Sequence, residues 1–145
     1  MPSGDKGPAL IDTGNPESQL PEEAVRKLAD QFGSEFVEED GSIAAFDCSR
    51  AQGTMRFGFN QDKAVVEVPI EMMMIPKSIT KSEGCDLALT AGDTVSLGSP
   101  FLQAAYVVFD DENKRIMFAQ AVMNTTRSDI EAVGPDWKGT ASGTG

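Results

Sequence analysis

The middle of the chain restricts the fold most. Met55, Phe57 and Phe59 alternate with Thr54, Arg56, Gly58 and Asn60. Side chains of an extended strand point to opposite faces in turn, so this run makes a strand with one apolar face. Asn60-Gln61-Asp62-Lys63 interrupts it with turn residues, and Ala64 to Val68 resumes as a second strand. The two segments read as a hairpin. Further strands are expected at Ala9-Leu10-Ile11, Cys85 to Leu89, Ala105 to Phe109 and Arg115 to Val122. The polar turn Asp110-Asp111-Glu112-Asn113 joins the last two. One segment has clear helical spacing: Val25, Leu28, Ala29 and Phe32 recur three or four apart. Pro21, Glu22 and Glu23 suit its start and the positive end of its dipole, and Gly33 suits its stop. The expectation is a mostly β domain with one obvious helix.

At 145 residues the chain has the length of one domain and can bury roughly 70% of its unfolded surface. Residues 1–8 read as a flexible lead-in, 9–126 as the folded domain and 127–145 as a disordered, Gly/Ser/Thr-rich linker. No stretch reaches the roughly 18 apolar residues of a spanning helix. Met1 to Gly7 is polar and turn-rich, unlike a secretory leader. The chain is therefore expected to start within a longer protein or to be a processed piece. Met72-Met73-Met74-Ile75, closed by Pro76, reads as core filler rather than a ligand surface. The sole tyrosine, Tyr106, reads as a core or structural residue, and Trp137 as incidental.

Twelve basic residues stand against 23 acidic ones, a net charge of −11. That balance repels nucleic acid and anionic membranes. It serves solubility, and it also suits acid surroundings, where a carboxylate-rich surface sheds its charge. The chain has no histidine. A Ser-His-Asp triad, a Cys-His pair and a histidine metal site are thus excluded from this chain's own residues. Glu38-Glu39-Asp40 and Asp110-Asp111-Glu112 lack calcium-loop spacing and read as solvated turns, so no metal or other cofactor is expected. Cys48 and Cys85 are either one disulfide or two buried free thiols. Asn124-Thr125-Thr126 is an N-glycosylation sequon. Cysteine pair and sequon together lean towards the oxidising secretory route.

Asp12-Thr13-Gly14 is the main lead towards chemistry. Taken alone it reads equally as an ordinary turn after a strand, because Asp and Gly favour turns. Its context adds information. Leu10-Ile11 precedes it, and Leu20-Pro21 and the helix follow. Leu97-Gly98-Ser99-Pro100-Phe101-Leu102 comes much later, then Ala104-Ala105-Tyr106-Val107-Val108-Phe109-Asp110, and finally Ile116-Met117-Phe118-Ala119-Gln120-Ala121. With these motifs in this order, Ala9 to Met123 resembles the C-terminal lobe of pepsin-family aspartic proteases. The likeness is greatest to the secreted and surface-anchored fungal branch that includes the yapsins and candidapepsins.

The resemblance implies a mainly β, pepsin-like lobe of the six-stranded type with at least one short helix. It implies an aspartic endopeptidase in which each lobe supplies one aspartate, and Asp12 is the only one here. Thr13 would tie the active loop to the other lobe, and Gly14 would offer its N–H to the carboxylate. Asn15 would stand on the substrate side, and Leu97-Gly98 would support the loop. Cys48 and Cys85 fall where that branch places its disulfide. The implied partners are a peptide or protein substrate and an N-terminal lobe, missing here or replaced by a second copy. The implied location is secreted or cell-surface, with a GPI anchor on a longer chain. This sequence departs from the pattern at Asn15, where Thr or Ser is usual, at Pro16-Glu17-Ser18, which replaces small hydroxyl and apolar residues, and at Ser99-Pro100, where Asp is common. The first two keep open an alternative, a pseudo-protease lobe that binds peptides or a protein partner without cleavage. A structural β domain of a cell wall would not explain the ordered motifs.

Overall fold

The computed structural model describes residues 7–128, 130 and 134. The earlier part of the lead-in and most of the 127–145 tail, Trp137 included, lie outside the described residues. The fold is mainly β. Among the described residues, eight strands form one four-stranded sheet and two hairpins, beside two α-helices.

The four-stranded sheet joins segments far apart in the chain. β1 (Ala9–Ile11) and β2 (Ser18–Leu20) are consecutive, yet β6 (Val95–Leu97) lies between them. It runs parallel to β1, with Leu10 opposite Ser96, and antiparallel to β2, with Gln19 opposite the same Ser96. β5 (Leu89–Ala91) pairs in parallel with the other edge of β2. Each of these strands has three residues, too few to show a period in sequence.

Helix α1 (Glu22–Phe32) buries Val25, Leu28, Ala29 and Phe32 on one face. Pro21 caps its start in an extended conformation, and Gly33 ends it in the left-handed region at φ 65°. A side chain at Gly33 would meet the movable Arg50 guanidinium at 2.7 Å, so it is the left-handed backbone rather than space that favours glycine there. Phe32 stacks on Phe46, ring centroids 4.6 Å apart. On the outer face Arg26 pairs with Glu22 and Glu38 and lies 4.0 Å from the centre of the Phe36 ring. Such exposed pairs add at most about 1 kcal/mol each.

The hairpin of β3 (Thr54–Phe59) and β4 (Ala64–Pro69) is in register from Thr54 opposite Pro69 to Phe59 opposite Ala64. Its turn holds Asn60, Gln61 and Asp62 at positive φ, a region that Asn and Asp visit more readily than other residues. Phe57 and Phe59 reach Phe101 of α2 (Ser99–Ala104) edge-on, at 5.3 and 5.8 Å. Phe118 of β8 (Arg115–Gln120) stacks on Phe59 at 4.3 Å and meets Phe101 at 6.0 Å. Gln120 adds a polar clamp. Its amide oxygen accepts from Glu67 N, and its nitrogen donates to the carbonyls of Glu67 and Ala104.

A disulfide joins Cys48 to Cys85, S–S 2.03 Å, which settles the choice left open by the cysteine count. Met73 is buried, and Met72 and Met74 pack against the core from the 3₁₀ turn Ile70–Met73 and the residue after it.

Three expectations are corrected. Cys85 to Leu89 is not one strand: Cys85 bridges to Phe46, Leu87 bridges to Met74, and continuous pairing begins only at Leu89. The partner changes along the run, so no ladder forms. Tyr106 is not a core residue; it is 66% exposed. In the hairpin of β7 (Ala105–Asp110) and β8, Val107 lies opposite Phe118, which packs inward, so the neighbouring pair Tyr106 and Ala119 takes the outer face. The final strand stops at Gln120 rather than Val122, because Ala121 N turns to the carbonyl of Ala104.

Two outcomes follow for stability. The disulfide closes a span of 37 residues; replacing both cysteines by alanine is expected to lower the unfolding free energy by about 3–4 kcal/mol in denaturant titrations. At the β7–β8 turn, Asn113 and then Arg115 bind the Asp110 carboxylate and hold its pKa below the ordinary value. A depressed carboxylate adds stability above its unfolded pKa and loses it as pH falls through the folded one. Asp110→Asn is therefore expected to melt below the parent at neutral pH, with the gap closing as the medium is acidified through that range.

Candidate active site

The Asp12 loop is built where β1 ends. Asp12 N donates to the carbonyl of Leu97 at 3.1 Å, the last rung between β1 and β6. The chain then turns, with Asn15 N reaching the Asp12 carbonyl at 3.3 Å. Gly14 N donates to Asp12 Oδ1 at 3.0 Å. That bond orients the carboxylate and leaves Asp12 Oδ2 without a hydrogen bond among the described residues. Asp12 is half-buried, while Thr13 and Gly14 are exposed.

Beneath the loop passes the segment that leaves β6. Ser99 N donates to the Asn15 carbonyl at 2.8 Å, and Gly98 N donates to Ser18 Oγ at 3.1 Å. A Cβ on Gly98 would collide with the carbonyl oxygens of Glu17 and Asn15. Its φ is −96°, so room rather than backbone conformation demands glycine here. Pro100 falls in the first turn of α2, where its missing N–H has no helical partner to lose. Ser99-Pro100 is thus compatible with the helix that carries Phe101 into the core.

The structure brings Asp12, Thr13, Gly14, Asn15, Leu97 and Gly98 together. Cys48 and Cys85 lie apart from them beside the exposed 3₁₀ turn Cys48–Arg50, and Asn124 lies beyond β8. Ser18 was not singled out by sequence, yet it is fully buried and its hydroxyl accepts from Gly98. A serine among polar neighbours carries no sign of this in sequence. Asn15 Oδ1 accepts from Glu17 N at 3.0 Å, so its side chain folds onto its own backbone. No hydrogen bond links it to the Asp12 carboxylate among the described residues. A groove of about 650 Å³ lies elsewhere, lined by Glu22, Phe36, Glu38, Asp40, Gly41 and Asp93 among others, and residues 12–15 take no part in it. Asp12 is therefore no part of that groove.

Residues 3–121 match the family model described as eukaryotic aspartyl protease. The chain belongs to that family. Among the family's curated members it is 30% identical to Barrierpepsin of Saccharomyces cerevisiae over 139 residues, covering 95% of this chain and 23% of the relative. It is 33% identical to Aspartic proteinase 3 of the same yeast, covering 88% and 22%. To Secreted aspartic protease 1 of Candida albicans it is 32% identical, covering 86% and 32%. The aspartyl protease chain thus spans less than a third of the length of these relatives.

The crossing of Gly98 beneath the Asp12 loop makes a direct test. Gly98→Ala is expected to cost about 3 kcal/mol or more, because the carbonyls it would strike are backbone atoms fixed by β2 and by Ser99 N. Denaturant unfolding measures the loss; a cost under about 0.5 kcal/mol would mean that the crossing is loose.

Proposed function

We propose that this chain is the C-terminal lobe of an aspartic-type endopeptidase and supplies one of its two catalytic aspartates, Asp12. The observation that carries this reading is the Asp12 carboxylate itself. One oxygen is fixed by Gly14 N, the other is open, and the loop is anchored to two strands and to α2. In a two-lobed enzyme a second carboxylate would face it. Two such groups share a proton, since like charges so close do not both ionise cheaply. The pair then titrates as a unit. One carboxylate takes a proton from a bound water, the water attacks the scissile carbonyl, and the other carboxyl hydrogen-bonds the carbonyl oxygen. No covalent intermediate is needed.

Two further observations support a companion lobe. The Thr13 hydroxyl is exposed and has no partner among the described residues, which suits a tie to another loop. A Cβ on Gly14 would meet only Asp12 Oδ1, at 3.4 Å, an ordinary contact. Nothing in the described chain requires glycine at 14, and a second loop packed against it would. The substrates of this reading are peptides or proteins. The proposed location is secreted or cell-surface, supported by the disulfide and by the relative named Secreted aspartic protease 1; a GPI anchor would belong to the longer protein.

A second reading is favoured by Asn15. Its side chain is turned to Glu17 N and leaves the Asp12 carboxylate without the hydroxyl hydrogen bond usual in the family. A lobe of that kind could hold a peptide or a protein partner without cleaving it.

The test is a peptide-pool assay at about pH 4, near the ordinary carboxylate pKa, with pepstatin and with Asp12→Asn. The two-lobed protein is expected to cleave and to lose at least about 100-fold in rate in the variant. The chain by itself is expected to be inactive. Cleavage by this chain alone, blocked by pepstatin and lost in Asp12→Asn, would replace the companion lobe by a second copy. Peptide binding without cleavage by the two-lobed protein would establish the pseudo-protease.

A further inference from the structure

We propose that Asn124 is an N-glycosylation site, modified with an oligosaccharide from a polyprenyl-diphosphate donor as the protein passes through the secretory route. Of the chain's asparagines only Asn124 is followed two residues later by Thr or Ser, with no proline between.

The structure adds what the tripeptide alone does not tell. Strand β8 has ended at Gln120, so residues 122–126 take part in no ladder. Val122 to Ser128 are all exposed. Asn124 sits in a turn at φ 53°, a left-handed conformation that asparagine tolerates better than most residues. Among the described residues its side-chain amide has no hydrogen-bond partner, nor has the Thr126 hydroxyl. Thr125, the middle residue of the tripeptide, is the one engaged locally, accepting from Arg127 N at 3.1 Å. The two side chains that a glycosylating enzyme must reach are free, and the occupied one is the one it does not read.

An independent observation concerns the compartment. The Cys48–Cys85 disulfide forms and persists under the oxidising conditions in which sequons are also modified. Position matters as well. The chain leaves β8 at Ala121, whose N–H bonds the carbonyl of Ala104 at the C-terminal end of α2. The Asp12 loop is bonded to the opposite end of that helix, at Ser99. The chain that carries Asn124 and the Asp12 loop are thus bonded to opposite ends of one six-residue helix, about 9 Å long. Asn124 follows directly on Val122 and Met123, which are 75% and 49% exposed.

The chemistry is a glycosyl transfer. Asn124 Nδ2 attacks the anomeric carbon of the first N-acetylglucosamine. The bond from that carbon to the diphosphate oxygen breaks, a carbon–nitrogen bond forms, the amide gives up one proton, and the polyprenyl diphosphate leaves. The proposal is independent of catalysis by Asp12.

The experiment expresses the full chain behind a cleavable secretory leader in a eukaryotic host. The expected result is one glycan-sized step on treatment with peptide N-glycosidase, with residue 124 converted to Asp by mass spectrometry. Asn124→Gln and Thr126→Ala are expected to lose the step, while Thr126→Ser and Thr125→Ala keep it. Translation into microsomes covers variants that fail to fold, since transfer there precedes complete folding. An unmodified Asn124 in secreted protein, or in protease-protected chain in microsomes, overturns the proposal, as does a step that persists in Asn124→Gln.

Discussion

The Phe101 ring packs against both hairpins of the domain at once. It is 1% exposed and touches Phe57 and Phe59 of one hairpin and Phe118 of the other. It stands on α2, whose first residue is bonded to the Asp12 loop. Removing such a side chain from a core costs several kcal/mol, on the order of 3–5. The ring closes the junction where Phe59 of one hairpin stacks directly on Phe118 of the other, and the helix that delivers it is bonded at Ser99 to the Asp12 loop. Core packing and the candidate site are therefore two ends of one short helix.

Legibility in the sequence followed the length of each pattern. The helix Glu22–Phe32 and the hairpin Thr54–Pro69 carry enough residues to reveal their period, and both appear where the pattern puts them. β2 and β6 have three residues each and were not foreseen, nor was α2. Cys85 to Leu89 looked like a strand because it is largely apolar, but its residues are held by Phe46, by Met74 and by β2 in succession. Tyr106 was misplaced for another reason. Both faces of the last hairpin carry apolar residues, so alternation does not say which face turns inward, and the contacts of Phe118 with Phe59 and Phe101 decide it.

For the candidate site, Asp12-Thr13-Gly14 alone is an ordinary turn. Its meaning came from the order of motifs across more than a hundred residues, which is why Leu97-Gly98 could be linked with it from sequence. The links that only coordinates supply are short polar ones: Ser18 Oγ to Gly98 N, and the Asn15 carbonyl to Ser99 N. Both depend on a crossing of chain segments about eighty residues apart, and no local rule of composition registers such a crossing. The same holds for Asn15. Its identity marked a departure from the family, but the direction its side chain takes, towards Glu17 N, is a property of the turn.

The link between Cys48 and Cys85 has a topological consequence for a chain that meets a peptidase. It encloses the β3–β4 hairpin, the methionine turn and the loop from Lys77 to Gly84, where Ile79 is 71% exposed and Lys77 bonds the carbonyls of Glu83 and Gly84. A backbone nick anywhere in that enclosed stretch yields two fragments that stay covalently joined, one carrying the Asp12 loop and the other Phe101. Such a molecule would stay a single species, heavier by one water, until reduced, and it could keep its shape after damage that would separate a chain without the bridge.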